Sequence, residues 1–506
     1  MSTSVFKTED EIVKKLLLVR NSLLQVEESH ADLLHNIHPN YKYNALNFLR
    51  YLKLRTFDLT EIQSDLTALG ISSLSHAERH VLANVENILY LLSAHIKVPF
   101  SGKYEFGRHP ISYKESGDYL KKNTLRLFGE HLNKQGIMVT LPSQGADTVF
   151  LSELLEAGMN IARINCSHDS LEVWKAMVEN LKKASRKLNK PCSVYMDLAG
   201  PKIRTHKIFI KKKLKGVSET KVFVGDTILL VKKAKNFQAK DEFAAVVTCT
   251  IASVIDDAKE GEGILFDDGK IEGIIERKEQ NALKIKILNT NPKGSKLKTE
   301  KGINLPDTYL NLPSLTDEDI SNLDFICSHA DIVGFSFVRN AADVARLQEE
   351  LQKRQRGDLG MVLKIENKEA FQNLPYLILK AMESPTIGIM TARGDLAVEL
   401  GVERLSEVQE EIMWLCEAAL IPNIWATQVL ESLAKKGIAS RAEVTDAAMS
   451  VRTECIMLNK GPYIVKALKT LNAILSLMEK HQSKKQGTLR SLNVATAFLG
   501  KIDKQD

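Results

Sequence analysis

Lys364 and Glu366 stand two apart in the apolar run 361–366, and Arg393-Gly394-Asp395 follows the next such run, 386–390. Side chains two apart on a strand point to one face. Two carboxylates, Glu366 and Asp395, with room for water suit Mg2+ (or Mn2+), a hard cation that prefers oxygen and keeps part of its hydration. Lys364 adds positive charge for phosphate oxygens, and Gly394 lets backbone N–H groups approach an anion. A carboxylate-held divalent ion, a lysine and several arginines make either a phosphoryl-transfer or an enolate site. The residues alone leave those two open. A strand can expose a polar face to no purpose, but in a barrel that face is the packed interior, where unpaired charge is costly.

The elements that must position these groups are legible as an alternation. Short β-rich runs at 137–141, 161–165, 193–197, 331–337, 361–366, 386–390, 423–427 and 455–458 are separated, in most cases, by helical patterns. Eight strand–helix units are the count that closes a (β/α)8 barrel of the TIM type, an α/β fold whose chemistry sits at the carboxyl ends of its strands. Those ends carry Arg163, Asn165, Ser167 and His168 after strand two. Asp197, Gly200, Lys202 and Arg204 follow strand three, Ser336 and Arg339 strand four, and Thr427 and Gln428 strand seven. All are expected to converge on one mouth.

The rhythm breaks between Arg204 and Gly302, where short strand-like pieces at 221–224, 227–231, 244–254, 263–266 and 282–288 alternate with Gly and Asp-Gly turns. This predicts a small β-barrel inserted in a barrel loop. The first 130 residues place apolar residues three and four apart at 12–24, 43–54, 59–69 and 77–92, which predicts a helical segment. Ser75 and Glu78 have capping-box spacing. His35 and His38 would share a helix face, where exposed or capping histidines are favoured over metal ligands. The expected domains are a helical extension at 1–130, a barrel at 131–205 and 301–482, an inserted domain at 206–300 and a tail at 483–506.

The 506 residues are 44% hydrophobic and 26% charged, which excludes wholesale disorder. No apolar run approaches the roughly 18–20 residues that span a bilayer. The acidic, apolar-poor start predicts no signal peptide. A net charge of +6 is mild for this length and gives no argument for nucleic acid. Six cysteines form no CxxC pair, and Cys249 and Cys455 sit in apolar runs, so a reducing cytoplasm is expected.

In order along the chain, GMNIARINCSH, MDLAGPKIRT, KGINLP, LKIENKEA, IMTARGDLAVE and IWATQVLESL, with SRAE and CIML after them, resemble pyruvate kinase. The resemblance runs from about Gly136 to His481. It implies transfer of a phosphoryl group from phosphoenolpyruvate to ADP. It implies that Lys364 stabilises the transferring group and that Glu366 and Asp395 ligate Mg2+. Gly394 and Thr427 are implied as substrate contacts, with Thr427 at the proton-transfer face of the enolate. Arg163 resembles the arginine that contacts phosphate, and His168 and Arg204 resemble nucleotide-side residues. The inserted domain would close as a lid and exclude water.

Four departures from the family pattern matter. Asn165, Ser167 and Asp197 match its monovalent-cation pocket, but Leu198 stands at the fourth position. Lys202 resembles the potassium-independent branch, in which an ammonium replaces the ion, so no K+ requirement is expected. The loop after strand eight reads Leu458-Asn459-Lys460-Gly461-Pro462 in place of Ser-Gly-Glu-Thr, and Ala397 replaces a glycine. The resemblance covers neither the family's C-terminal domain nor the first 130 residues, so regulation through that domain is not expected. A homodimer through the barrel stays open. So do two other readings, a Mg2+-dependent enol-pyruvate lyase or aldolase and a non-catalytic, regulatory relative.

Overall fold

The computed structural model describes residues 9–95, 111–132, 134–143, 146–210, 213–233, 243–484 and 486–487. Eight parallel strands close a barrel: β1 (Gly136–Thr140), β2 (Ile161–Asn165), β3 (Ser193–Asp197), β4 (Ile332–Phe335), β5 (Gly360–Ile365), β6 (Ile387–Ala392), β7 (Asn423–Ala426) and β8 (Cys455–Leu458). Each strand neighbours the next in sequence, and β8 pairs with β1 with Gly136 opposite Cys455. The strands are apolar runs with almost no exposed face, as a barrel covered by helices demands. The expected strands are thus present, with ends shifted by a residue or two.

The chain divides into two compact units. One comprises Met1–Ile164, Ser170–Val194 and Met413–Asp506; the other comprises Asn165–Asp169 and Tyr195–Ile412.

The second unit contains the insertion. Eight strands form one mixed sheet in the order Ile303–Asn304, Gly263–Phe266, Ile271–Glu279, Ala282–Asn289, Thr227–Val231, Ala245–Cys249, Thr205–Ile210 and Lys213–Val217. Among the described residues this sheet stands where the small β-barrel is expected, accompanied by a ribbon of Ser295–Lys298 and Glu219–Val222. Its core is Ile208, Ile228, Val247, Ile264, Phe266 and Ile285 with their neighbours. Strands Thr205–Ile210 and Ile271–Glu279 escaped the sequence pattern because lysines and glutamates break their apolar alternation. The run expected at 244–254 stops at Cys249 and turns into the short helix Val254–Asp257.

The first unit contains the helices Glu9–Ser29, Lys42–Leu54, Thr60–Ala68, Val81–His95 and Tyr113–Phe128. Buried Asn47 ties them down: its Nδ2 donates to the Glu78 and Ala418 carbonyls at 2.8 Å each, and its Oδ1 accepts from Val81 N at 3.0 Å. Two expectations fail here. Ser75 is not a helix cap, since the chain enters a 3-10 turn at Glu78 with Ala77 as its N-cap. His35 ends one helix and His38 caps a separate 3-10 turn, so they share no helix face. The helix expected at 370–381 is broken at Asn373, with Pro375 in the first turn of its second half. All six cysteines are free; burial pushes the Cys249 thiol up to about 11 and raises Cys416 and Cys455 as well. No helix among the described residues is long and apolar enough to cross a membrane.

Candidate active site

Lys364 is the penultimate residue of β5. Its Nζ donates to Ser336 Oγ at 2.7 Å and lies 3.0 Å from Glu366 Oε1 and 3.5 Å from Asp197 Oδ2. Lys364, Glu366 and Asp197 are all buried. One ammonium thus serves two carboxylates out of water, where charges persist only when paired. Burial pushes the Glu366 carboxyl above its usual range, and the nearby Asp395 charge adds to the rise, against the lowering effect of Lys364. Glu366 Oε2 also accepts from Phe337 N at 2.8 Å. Phe337 adopts φ +55°, a left-handed conformation that turns its amide toward the carboxylate.

Two glycines make room for this cluster. A Cβ on Gly334, in β4, would stand 2.1 Å from both Asp197 Oδ1 and Tyr195 Oη. Gly200 has φ +67°, and its Cβ would meet Phe337 Cδ2 at 2.7 Å. The loop holding Gly200 is fastened by Asp319, a buried residue the sequence reading passed over. Asp319 accepts from Ala199 N at 2.8 Å and Gly200 N at 3.2 Å, and completes a capping box with Thr316 on the helix Asp317–His329. The Thr-x-x-Asp spacing was the available signal.

Asp395 sits in the first turn of the helix Arg393–Leu400, directly after β6. Lys202 Nζ lies 2.8 Å from Asp395 Oδ1 and 5.7 Å from the centre of the Phe337 ring. It makes no bond to Asn165, Ser167 or Asp197. Asn165 Oδ1 instead accepts from Ser167 N at 3.2 Å, and Cys166 N donates to the Asp197 carbonyl at 3.0 Å. The structure thus seats the Lys202 ammonium on a carboxylate expected to hold metal.

Glu366 and Asp395 fit a divalent cation by donor chemistry: both are carboxylates, close enough that one charge raises the other. Among the described residues no group of three or more His, Cys, Asp or Glu could complete a protein cage. The remaining ligands would be waters or substrate oxygens, the pattern Mg2+ favours.

His168 is exposed in the turn after β2. Arg204 lies at the root of the insertion, with its Nη1 on the Glu300 carbonyl at 3.2 Å. Arg339 departs from expectation: it bonds the Leu310 and Leu312 carbonyls at 2.8 Å each and so holds the loop that follows the insertion. Glu399 was also missed. Burial pushes its carboxyl up to about 6, although Asn304 Nδ2 donates to it at 2.7 Å.

In the first unit, buried Arg163 donates from Nη1 to Thr140 Oγ1 at 2.9 Å. Thr140 Oγ1 is 3.5 Å from Asn459 Oδ1, at the start of the altered loop after β8. That loop is closely packed, since a Cβ on Gly461 would stand 2.3 Å from the Ala434 carbonyl oxygen. Thr427 follows β7 with φ +65°, and Gln428 continues at φ +61°. A β-branched residue in this region is strained by about 1–3 kcal/mol, and such strain gathers at functional sites.

A family model described as pyruvate kinase, barrel domain, matches residues 132–467. The chain is 32% identical over 384 residues to a pyruvate kinase of Bacillus licheniformis, covering 73% of this chain and 62% of the relative. It is 32% identical over 385 residues to one of Staphylococcus epidermidis, covering 73% and 61%. A Staphylococcus aureus pyruvate kinase is 30% identical over 381 residues. The chain thus spans about three fifths of the length of these relatives. The closed eight-stranded barrel agrees with the match, and the chain belongs to the pyruvate kinase family.

Proposed function

We propose that this protein transfers the phosphoryl group of phosphoenolpyruvate to ADP, giving pyruvate and ATP, with Mg2+ (or Mn2+) required and K+ not required. The observation that carries this reading is the buried Lys364 ammonium, held between Ser336, Glu366 and Asp197 at the carboxyl end of β5. An oxygen of the ADP β-phosphate attacks phosphorus, the bond from phosphorus to the enol oxygen breaks, and the enolate takes a proton at carbon to become pyruvate. Lys364 stabilises the charge that spreads over the equatorial oxygens of the transferring group. Arg163 contacts phosphate. Glu366 and Asp395 would hold the divalent ion, which when bound would supply Lewis-acid polarisation of substrate oxygens. Gly394 and the start of its helix receive the substrate carboxylate, and Thr427 orients the proton donor. His168 and Arg204 face the nucleotide, and the insertion closes as a lid. The cytoplasm is the proposed compartment.

The test is pyruvate formation by the purified full-length chain from phosphoenolpyruvate, ADP and Mg2+, with and without K+. Turnover without K+ is expected. Its absence in both conditions, from folded protein that binds Mn2+, would overturn the assignment and favour the non-catalytic or lyase readings.

A further inference from the structure

The insertion leaves the barrel at 201–203 and returns at 303–305. Ile303 N donates to the Ile203 carbonyl at 2.9 Å, and Arg204 and Gly302 form an antiparallel bridge. The two connectors are therefore one ribbon. Two polar ties fasten it to the helix Arg393–Leu400. The outgoing connector is held by Lys202 Nζ on Asp395 Oδ1 at 2.8 Å. The returning one is held by Asn304 Nδ2, which donates to Glu399 Oε1 at 2.7 Å. Asp395 and Glu399 are four residues apart, so they share one helix face.

A cavity of about 360 Å3, lined in part by Lys202, Ile303, Leu305, Phe337 and Glu399, separates this ribbon from the barrel. Lys202, Asn304 and Glu399 all line that cavity, so both ties border it. The ties are unequal. Asp395 is the proposed metal ligand, and its bond to Lys202 competes with that role. Glu399 has no such second claim on it.

We propose that Asn304 and Glu399 are positioning residues: their bond is the fixed pivot of the lid, holding the returning connector while the Lys202–Asp395 tie changes. Through it the helix that carries Gly394 and Asp395 sets where the lid root stands. The catalytic part of this inference rests on the proposed phosphoryl transfer; the pivot itself does not.

The experiment uses the full chain and the variants Asn304→Ala, Glu399→Ala, Glu399→Gln and the double alanine variant. Amide exchange at 302–305 is read without metal or substrate, and KM and kcat are read with them. Exchange at 302–305 is expected to quicken about fivefold in either alanine variant, the ratio one buried hydrogen bond sustains. Glu399→Gln keeps an acceptor oxygen and restores slow exchange. The double variant is no worse than either single one, as for two partners of one bond. In turnover, kcat/KM falls about tenfold in the alanine variants and recovers in Glu399→Gln. Unchanged exchange in Asn304→Ala, or additive losses in the double variant, overturns the pivot. If the wild type transfers no phosphoryl group, the proposed activity fails, and the exchange measurement still decides the pivot alone.

Discussion

Lys364 Nζ stands 3.0 Å from Glu366 Oε1, although Glu366 lies one residue past the end of β5. The strand's alternation carries on through its last peptide, so both side chains enter the same side. Lys364 therefore neutralises the carboxylate that is expected to hold metal, and also Asp197 behind it. One residue is needed both for charge balance in the fold and for charge stabilisation in transfer.

Lys364→Met should accordingly do two things. Removing a transition-state charge lowers kcat by about 10²–10³ or more. Removing the partner of two buried carboxylates also destabilises the fold, by about 3–5 kcal/mol. Steady-state turnover and denaturant unfolding separate the two effects. Turnover within a few-fold of wild type would remove Lys364 from the chemistry.

Glu399 gives a pH dependence with a definite sign. Its carboxyl is pushed up to about 6 by burial, helped by Asp395 and Asp307 and opposed by Asn304 and Lys368. A raised carboxyl binds its proton more tightly when folded, so its contribution to stability is present below the ordinary value and lost as pH rises through about 6. Glu399→Gln carries no such proton. Its melting temperature should match wild type near pH 4.5 and exceed it increasingly up to about pH 7. A constant difference across that range contradicts the assignment.

What could be seen in the sequence was local. Lys364, Glu366 and Asp395 could be placed because each follows or ends an apolar run whose type is set by its own residues. The closure of β8 on β1 followed from counting such runs. What could not be seen joins distant segments. Asp319 holds Ala199 and Gly200, Lys202 finds Asp395, and Gly334 makes room for Asp197; none of these pairings has a signature in spacing. Local motifs also misled. Ser75 and Glu78 have capping-box spacing, yet the chain turns at Ala77, and Arg339 follows a strand but serves the loop at 310–312.

Asn47 satisfies three backbone groups inside the helical segment, one of them the Ala418 carbonyl ahead of β7. Asn47→Leu keeps the volume but leaves Val81 N–H and two carbonyls without this partner. A loss of about 1–3 kcal/mol per orphaned group is expected, enough to loosen helices 42–54 and 81–95. Limited proteolysis should then cut within 9–95 before the barrel. Equal resistance in variant and wild type would show that this bond network contributes little.

Gly334→Ala tests how tightly the floor of the site is built. The added methyl would stand 2.1 Å from Asp197 Oδ1 and Tyr195 Oη, and neither a buried aspartate nor a ring has room to retreat. Loss of folded yield, or loss of turnover far beyond the melting-temperature change, is expected. A variant with normal yield and turnover would mean that the Asp197 cluster adapts.

Lys202→Glu bears on the monovalent ion. In the wild type the ammonium sits 2.8 Å from Asp395 Oδ1, beside a proposed metal ligand, so a cation is already supplied by the chain. A glutamate there faces Asp395 with like charge, which costs energy unless a cation intervenes. The ratio of turnover in KCl to turnover in tetramethylammonium chloride, near one for wild type, should rise to about tenfold or more in the variant. The bulky ammonium controls for ionic strength, because it screens charge without the compact size of K+. A variant that loses activity equally in both salts would show that Lys202 serves only to position Asp395. A wild type that already requires K+ would show that the ammonium does not stand in for the ion.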